Sequence, residues 1–541
     1  MGEISTEYDY VIIGSGFGGS VSALRLAEKG YSVLVIEKGK WYKAEDFPKN
    51  NWKLKKWIWE PRLGLFGFFK ITYLNHVTVL SGVGVGGGSL TYANTLPIPK
   101  KEFFTSGSWS NLKDWETELS PHYQEAYRML GAEENPHLGP ADELVRELAK
   151  DLGRADHFIK SKVAVHFGKP GETIRDPYFD GKGPDRTGCI HCGACMTGCR
   201  HNAKNTLDKN YLHLAQQLGT EILAEREVYD IKPFGDEGGK DGYHIFFKKA
   251  IGRGRRQKIK AKHVVFAGGV LGTVPLLLNL KQKGSLPRLS NAVGRNIRTN
   301  NESLFLLTNT KRDAPDNTEG IAIGSILHLD ENSHLEPVRY GRGSSFFRLL
   351  TMPAYPHTST FIRVIGVLGI LLKKPLRSLR TIFANNYSER SVVLLFMQSL
   401  DSTLSLKLGK ITRLKTSKEM GTAPSGFIPE AAETARKLSR KTKSIPYANI
   451  TDVFLGTPTT AHILGGAVMG ATAEEGVIDH RNQVFGYDNM MVCDGSMISA
   501  NPGVNPSLSI TAISELAMSA IPDKKGQSKT KKTLKQELNI E

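Results

Sequence analysis

Cysteine is scarce in this 541-residue chain: there are five, four of them between residues 189 and 199. So small a supply excludes a disulfide-stapled fold. Acidic residues are also short, 54 against 71 lysines and arginines, a formal charge of +17. That surplus raises the prospect of an anionic partner, yet no helix-turn-helix, zinc-finger or RNA-binding signature accompanies it, and nucleic acid is not expected. Long apolar runs are missing as well. No stretch reaches the ~18 uninterrupted residues that a membrane span requires, so a transmembrane segment is not expected. Residues 1–8 are polar and acidic, with no secretory signal, and the expectation is a cytoplasmic protein. MGEIST fits the myristoylation pattern in form, but Glu3 is unfavourable and the match is read as coincidence. No internal repeat or long linker is visible.

What is present is an ordinary globular composition, 40% apolar and 9% aromatic. The length exceeds one usual domain and predicts two intimately associated ones. Residues 10–37 read YVIIGSGFGGSVSALRLAEKGYSVLVIE. The apolar run from Tyr10 is a buried parallel strand that enters Gly14, Gly16 and Gly19 in the spacing G-x-G-x-x-G. Such glycines let backbone N–H groups and a helix N-terminus approach a pyrophosphate. Val21, Leu24 and Ala27 form the sheet-facing stripe of that helix, and Glu37 closes the next strand, placed to accept both hydrogen bonds of a ribose diol. An acidic residue there disfavours a 2′-phosphate, which leaves NAD or FAD.

A second glycine cluster, GVGGGSLTYAN from residue 84, sets Gly86, Gly87, Gly88 and Ser89 where backbone can lie against a cofactor. KHVVFAGGVLGTVPLLL (262–278) again reads strand, glycine turn, helix, and FGDEGGKDG (234–242) reads as a hairpin connection. MMVCDGSMI (490–498) is a strand ending at Asp494 and Gly495, and GVNPSLSITAISELA (503–517) is a helix.

The cysteines Cys189, Cys192, Cys195 and Cys199 have the spacing C-x2-C-x2-C-x3-C, that of bacterial ferredoxins. Arg200 stands where proline usually follows, and no second run exists. Three readings stay open: one iron–sulfur cluster ([4Fe–4S] or [3Fe–4S]) held by all four thiols or by three and another ligand, zinc, or structural or redox-sensing thiols. After the run, Asn205 or Thr206 is expected to cap a helix with Leu207, Leu214 and Leu218 on one face.

Taken in order, GSGFGG with Glu37, GVGGGSL, FAGGVLGT, AHILGG around His462, and VCDGSMI followed by GVNPSLSI resemble the glucose-methanol-choline (GMC) oxidoreductases, in their cholesterol oxidase-like branch. The resemblance spans residues 10–517. It implies FAD as cofactor and oxidation of an alcohol to a carbonyl by hydride transfer to flavin N5. It also implies that His462 and Asn505 flank the flavin, His462 taking the hydroxyl proton and Asn505 orienting the substrate oxygen. By the same resemblance Asp494 contacts the ribityl or pyrophosphate region, and Val228 binds adenine through its main chain. The branch uses a further carboxylate to isomerise an enone product. In SVVLLFMQSLDS the sequence offers Gln398 or Asp401 for that pocket without deciding.

The fold class implied is α/β with an α+β substrate domain. A Rossmann-like FAD-binding domain is built from residues 1–45, 75–100, 220–305 and 460–522. A substrate-binding domain of GMC type takes 46–74, 101–219 and 306–459, with the Cys-rich loop at 188–200, and 523–541 is a basic flexible tail. The stretch ADELVRELAKDL (141–152) is a covering helix with Leu144, Leu148 and Leu152 inward.

Two apolar and basic segments bear on the substrate. All six tryptophans lie between residues 41 and 115, and NNWKLKKWIWEPRLGLFGFFKI (50–71) interleaves Trp52, Trp57 and Trp59 with Lys53, Lys55 and Lys56. FIRVIGVLGILLKKPLRSLRTIF (361–383) joins apolar residues to a basic cluster and is broken by Pro375. Both suit a bilayer interface with anionic lipid, or equally the core of the substrate domain with solvated lysines. The leading expectation is a flavin-dependent oxidase of a sterol or other hydrophobic alcohol. A cluster-containing dehydrogenase passing electrons to a protein or quinone is the alternative, and a non-catalytic redox-sensing or lipid-binding flavoprotein the alternative of another class.

Overall fold

The computed structural model describes residues 5–252, 254–311, 313–409, 414–419 and 423–525. Gly2 of the myristoylation pattern and the basic tail beyond residue 525 lie outside the described residues. Two seven-stranded sheets organise the chain. In chain order their strands are β1 (Glu7–Ile13), β2 (Val33–Ile36), β3 (Phe158–Lys160), β4 (Glu221–Leu223), β5 (Arg226–Pro233), β6 (Tyr243–Lys249), β7 (Gln257–Phe266), β8 (Ser303–Thr308), β9 (Ser325–His328), β10 (Ser333–Val338), β11 (Thr351–Pro353), β12 (Ser391–Gln398), β13 (Pro446–Asn449) and β14 (Met490–Val492). The helices that cover them are α1 (Phe17–Glu28), α2 (Trp115–Met129), α3 (Pro140–Asp151), α4 (Tyr211–Gln217), α5 (Val270–Gln282), α6 (Thr360–Lys373), α7 (Pro375–Ile382) and α8 (Ser507–Ser519).

The first sheet has the order β4-β2-β1-β7-β6-β5, with β14 on β7. Its β4, β2, β1, β7 and β14 run parallel, and β5 and β6 form an antiparallel hairpin on the edge. Val11 is paired with Leu34 on one side and Val264 on the other, and all three are buried. That accounts for the short unbroken apolar runs: a parallel strand covered on both faces has no polar side to display. The strand, glycine turn and helix units expected at residues 10–37 and 262–278 are present, as are the hairpin and the C-terminal helix.

The second sheet is antiparallel, in the order β11-β13-β8-β12-β10-β9-β3. Helix α3 packs over β9 and β10 and buries Val145 and Leu148, with Leu144 and Leu152 partly buried at the margin. Helices α2 and α4 fall within 101–219, the span expected on the substrate side, yet their buried residues Leu119, Tyr123, Leu212 and Ala215 join the core of the first sheet. Helix α2 packs on α8, and α4 on α1.

One local expectation needs correction. The helix after the cysteines is not capped by Asn205 or Thr206: a short 3-10 turn, Leu207–Lys209, comes first, and Asn210 accepts a bond from Tyr211 N at the head of α4. Of the two readings left open for the tryptophan segment, Trp57 and Trp59 follow the core one. Trp57 is fully buried, stacks on Phe69 at 4.7 Å and meets Phe346 and Phe347 edge-on, while Trp59 is also buried. Only Trp52 of the three is exposed. Tight turns fold these rings inward and leave the lysines in water.

Candidate active site

A continuous cavity of about 1060 Å³ runs from the glycine turn after β1 to the face of the second sheet. Gly14, Gly16, Glu37, Gly87, Gly88, Val228, Asp494 and Gly495 line its one end, and His462 and Asn505 line the middle. Leu304, Leu306, Val338, Phe347, Val393 and Leu395 make the other end apolar. Residues more than 400 positions apart thus face one space. Gly19, Gly86 and Ser89 do not line it. Gly19 packs α1 against the turn, and Ser89 is buried, donating to Gly86 O at 2.7 Å and accepting from Leu207 N at 3.1 Å.

The nucleotide end fits an adenine dinucleotide on three observations. Gly14 has φ of +106°, and a Cβ there would fall 2.4 Å from Ala267 O. Gly87, also left-handed, approaches so closely that its Cβ would lie 2.7 Å from Gly16 Cα. The second glycine loop therefore lies directly on the first, as a backbone cradle should. Helix α1 starts at Gly16 with no side-chain cap, leaving its first N–H groups for an anion. Lys38, Lys70, Arg226 and Arg256 add cationic lining that the sequence reading did not identify. Burial, with Lys38 nearby, brings Lys70 down to about 8.

Glu37 is already engaged. It accepts from Ser15 N at 3.1 Å, Ser15 Oγ at 2.8 Å and Gly39 N at 2.8 Å. A carboxylate has about four acceptor directions, so one remains for a ribose hydroxyl rather than two. Asp494 is likewise turned inward, accepting from Gly269 N at 2.8 Å and from Ser496 N at 2.8 Å. Its burial raises the carboxyl above the usual range against the pull of those bonds. It ties the start of α5 to the end of β14, and the adjoining Gly495 faces the cavity.

His462 follows a two-residue strand, Thr459–Thr460, that pairs in parallel with Thr78 and Val79. Leu464 and Arg298 exchange backbone bonds of 2.8 and 2.9 Å. That bridge aligns residues 298–302 with 460–464 and brings Glu302 beside the histidine. His462 Nδ1 lies 2.8 Å from Glu302 Oε1, and Ala461 N donates to Glu302 Oε2 at 3.1 Å. Thr460 Oγ1 donates to Glu302 Oε1 and accepts from His462 N. A carboxylate only accepts, so Nδ1 carries the hydrogen and Nε2 of the neutral ring is a free base. Burial alone would depress this imidazole, but Glu302, with Glu336 behind it, holds it above the ordinary histidine range. Glu302 was missed from sequence: it is 160 residues from His462, inside RTNNESL, which reads as a loop.

Asn505 is buried just before α8, and its Nδ2 donates to Glu336 Oε2 at 3.4 Å. Glu336, on β10, is fully buried. Asn505 Oδ1 has no hydrogen-bond partner, whereas Glu336 Oε1 lies 3.4 Å from His334 Nε2. A buried polar atom left without a partner costs about 1–3 kcal/mol and awaits a ligand or water. Neither Gln398 nor Asp401 lines the cavity, and Asp401 is bound to Arg298 Nε at 2.9 Å. Glu336 does not line the cavity either and reaches the site only through Asn505.

The cysteine loop lies against the same cavity but is built differently. Cys189 packs with Val163, Val165, Phe167, Ala203 and Ile321, and its thiol is pushed far up by burial. Burial and the neighbouring Cys195 bring Cys192 to about 11. The four cysteines line a void of only about 20 Å³. Among the described residues no group of three His, Cys, Asp or Glu side chains is arranged to hold a metal ion, so the metal readings of the spacing gain no support from the geometry. What the loop does show is a strap. Lys204 Nζ, buried and lowered to about 7 chiefly by desolvation, donates to Leu90 O at 3.1 Å, Tyr92 O at 2.9 Å and Cys195 O at 2.9 Å. It ties the second glycine loop to the cysteines, while Met196 reaches the large cavity.

GMC oxidoreductase family profiles match residues 183–300 and 411–514, and an NAD(P)-binding Rossmann-like profile matches 12–41. The chain is 42% identical to a cholesterol oxidase of Acinetobacter baumannii over 538 residues, covering 96% of this chain and 95% of the relative. It is 43% identical to a cholesterol oxidase of Mycobacterium tuberculosis over 535 residues, covering 96% and 92%. A long-chain-alcohol oxidase of Arabidopsis thaliana is 25% identical over 97% of this chain and 68% of that protein. The crystal structure of a pyridoxine 4-oxidase from Mesorbium loti superposes with a TM-score of 0.60 at 14% identity, covering 94% of this chain and 98% of the other, a likeness of fold alone. The chain belongs to the GMC oxidoreductase family, in its cholesterol oxidase-like branch, and is a flavin-dependent alcohol oxidoreductase.

Proposed function

We propose that the protein binds FAD and oxidises the hydroxyl of a hydrophobic alcohol, a 3-hydroxysteroid above all, to the ketone, with oxygen as final acceptor. The observation that carries this reading is the single cavity joining the glycine cradle, the His462–Glu302 pair and an apolar end. The names of the 42–43% identical relatives support the sterol, and the plant long-chain-alcohol oxidase supports the wider class of lipid alcohols.

FAD, when bound, supplies the hydride acceptor. The chain must hold the alcohol and remove its O–H proton. His462 Nε2 takes that proton, because Nδ1–H is committed to Glu302 and the carboxylate stabilises the imidazolium that results. Asn505 turns its amide toward the substrate oxygen, held from behind by Glu336. The leucine and valine side chains of β8 and β12 exclude water from the reacting carbon and receive the hydrocarbon. Glu336 stands behind Asn505 rather than on the cavity lining, and with its second oxygen 3.4 Å from His334 Nε2 it serves to hold the amide in place.

The test is aerobic turnover of the purified holoenzyme with cholesterol, a saturated 3-hydroxysteroid and a long-chain alcohol, measuring peroxide and product. Peroxide with a ketone product from cholesterol is expected. Turnover only with an artificial acceptor would replace the oxidase reading with a dehydrogenase, and no turnover of any alcohol would reject the substrate class.

A further inference from the structure

Helices α6 and α7 carry the most exposed apolar surface described in the molecule. On α6, Phe361, Ile365, Leu368 and Leu372 recur at spacings of four, three and four, and are 73%, 51%, 54% and 81% exposed. Leu376 on α7 and Phe383 at its C-terminal cap are 70% and 73% exposed. The opposite face of α6 is anchored: Val367 is buried, Gly366 abuts the Tyr355 ring, and buried Arg363 donates to Val453 O and His357 O. The outward stripe is thus a fixed feature of a docked helix pair. A monomer in water has no use for it.

Charge and position identify the occupant. Lys373, Lys374, Arg377 and Arg380 sit at the junction of the two helices and along α7, with no acidic residue between 360 and 382. Two copies of this plate face to face would bring like charges together. A sheet of anionic headgroups over hydrocarbon matches both the cations and the apolar stripe. The plate lies behind the apolar end of the cavity: Ile370 of α6 packs against the cluster of Leu306, Tyr387, Ile445 and Tyr447, of which Leu306, Tyr387 and Tyr447 line the cavity. At 14 residues α6 is about 21 Å long, and no helix among the described residues is long and apolar enough to cross a membrane.

We propose that the outer face of α6–α7 docks the protein on an anionic phospholipid bilayer, lying in the interface with its leucines and phenylalanines among the acyl chains. Binding itself is independent of the substrate reading. If that reading also holds, docking sets the apolar end of the cavity near the lipid from which the alcohol comes.

The test is co-sedimentation of the holoenzyme with sterol-free vesicles of phosphatidylcholine and phosphatidylglycerol in equal parts, beside vesicles of phosphatidylcholine alone. Stronger binding to the anionic vesicles, weakened by salt, is expected. Leu372→Asp/Leu376→Asp should bind at least ~10-fold more weakly, the effect of one leucine's burial, with flavin content and melting midpoint unchanged. Lys373→Gln/Lys374→Gln should lose the preference for anionic lipid while keeping the fold. No sedimentation with anionic vesicles, undiminished sedimentation of the leucine variant, or a dimer in solution that this variant abolishes would overturn the proposal. None of these outcomes depends on which alcohol is oxidised.

Discussion

The His462 corner and the cysteine loop are both clusters of reactive side chains beside one cavity, and they resemble each other in sequence more than in structure. At the corner, a base, its carboxylate Glu302 and the Asn505 amide stand against about 1060 Å³ of space, and the Asn505 amide oxygen is left without a partner. At the loop, four cysteines line about 20 Å³, the lysine beside them is spent on three carbonyls, and Cys189 is packed among apolar side chains. Residue type and spacing suggest chemistry in both places. Room for a ligand and free valences distinguish them.

The largest expected difference is catalytic. His462→Ala should keep FAD yet lower alcohol turnover by at least ~100-fold, the lower range of general-base effects, whereas Cys192→Ser and Cys199→Ser should stay within about twofold of the parent on the scale of ordinary surface changes. Steady-state turnover corrected for flavin content checks both. Loss of flavin and bound iron together in the cysteine variants would break the contrast and restore the cluster.

Glu302→Gln sharpens the corner. His462 accepts a proton only when neutral, so the rate should fall as pH drops through its pKa, which Glu302 holds up. Removing the carboxylate charge should move that acid limb to lower pH and cost roughly 10-fold on the plateau, a part of the general-base effect. A pH–rate profile that does not move would show that Glu302 does not govern the histidine.

On the loop side the effects should be on stability. Lys204→Met leaves three buried carbonyls without their donor and should cost about 2–3 kcal/mol. Cys189→Ser puts a hydroxyl among valines and a phenylalanine and should cost about 1–2 kcal/mol. Thermal unfolding reads both, and a Lys204 variant as stable as the parent would mean the strap is idle.

How much the sequence revealed follows from the range of each interaction. The glycine turn and the stripe of Val21, Leu24 and Ala27 obey rules that act within a few residues, and α1 is found where they place it. His462 was identified by resemblance, but its partner was not. The Glu302–His462 contact depends on the Arg298–Leu464 bridge, which no local pattern announces. The same holds for Glu336, hidden in a strand behind Asn505, while Gln398 and Asp401 stand in a more suggestive stretch and, like Glu336, lie outside the cavity lining. Trp57 and Trp59 show why two readings of their segment stayed open, since amphipathic composition does not say which way a short, tightly turned segment faces. The segment 361–383 had the same composition and did face outward, because Arg363 and Val367 pin its other side.

The central claim is most directly tested by anaerobic rapid mixing of the holoenzyme with cholesterol while the visible flavin absorbance is followed, for the parent and for His462→Ala. The account predicts that the parent bleaches and that the variant, with its flavin still bound, bleaches at least ~100-fold more slowly. Bleaching undiminished in the variant, or a parent that neither cholesterol nor a long-chain alcohol bleaches, would contradict it.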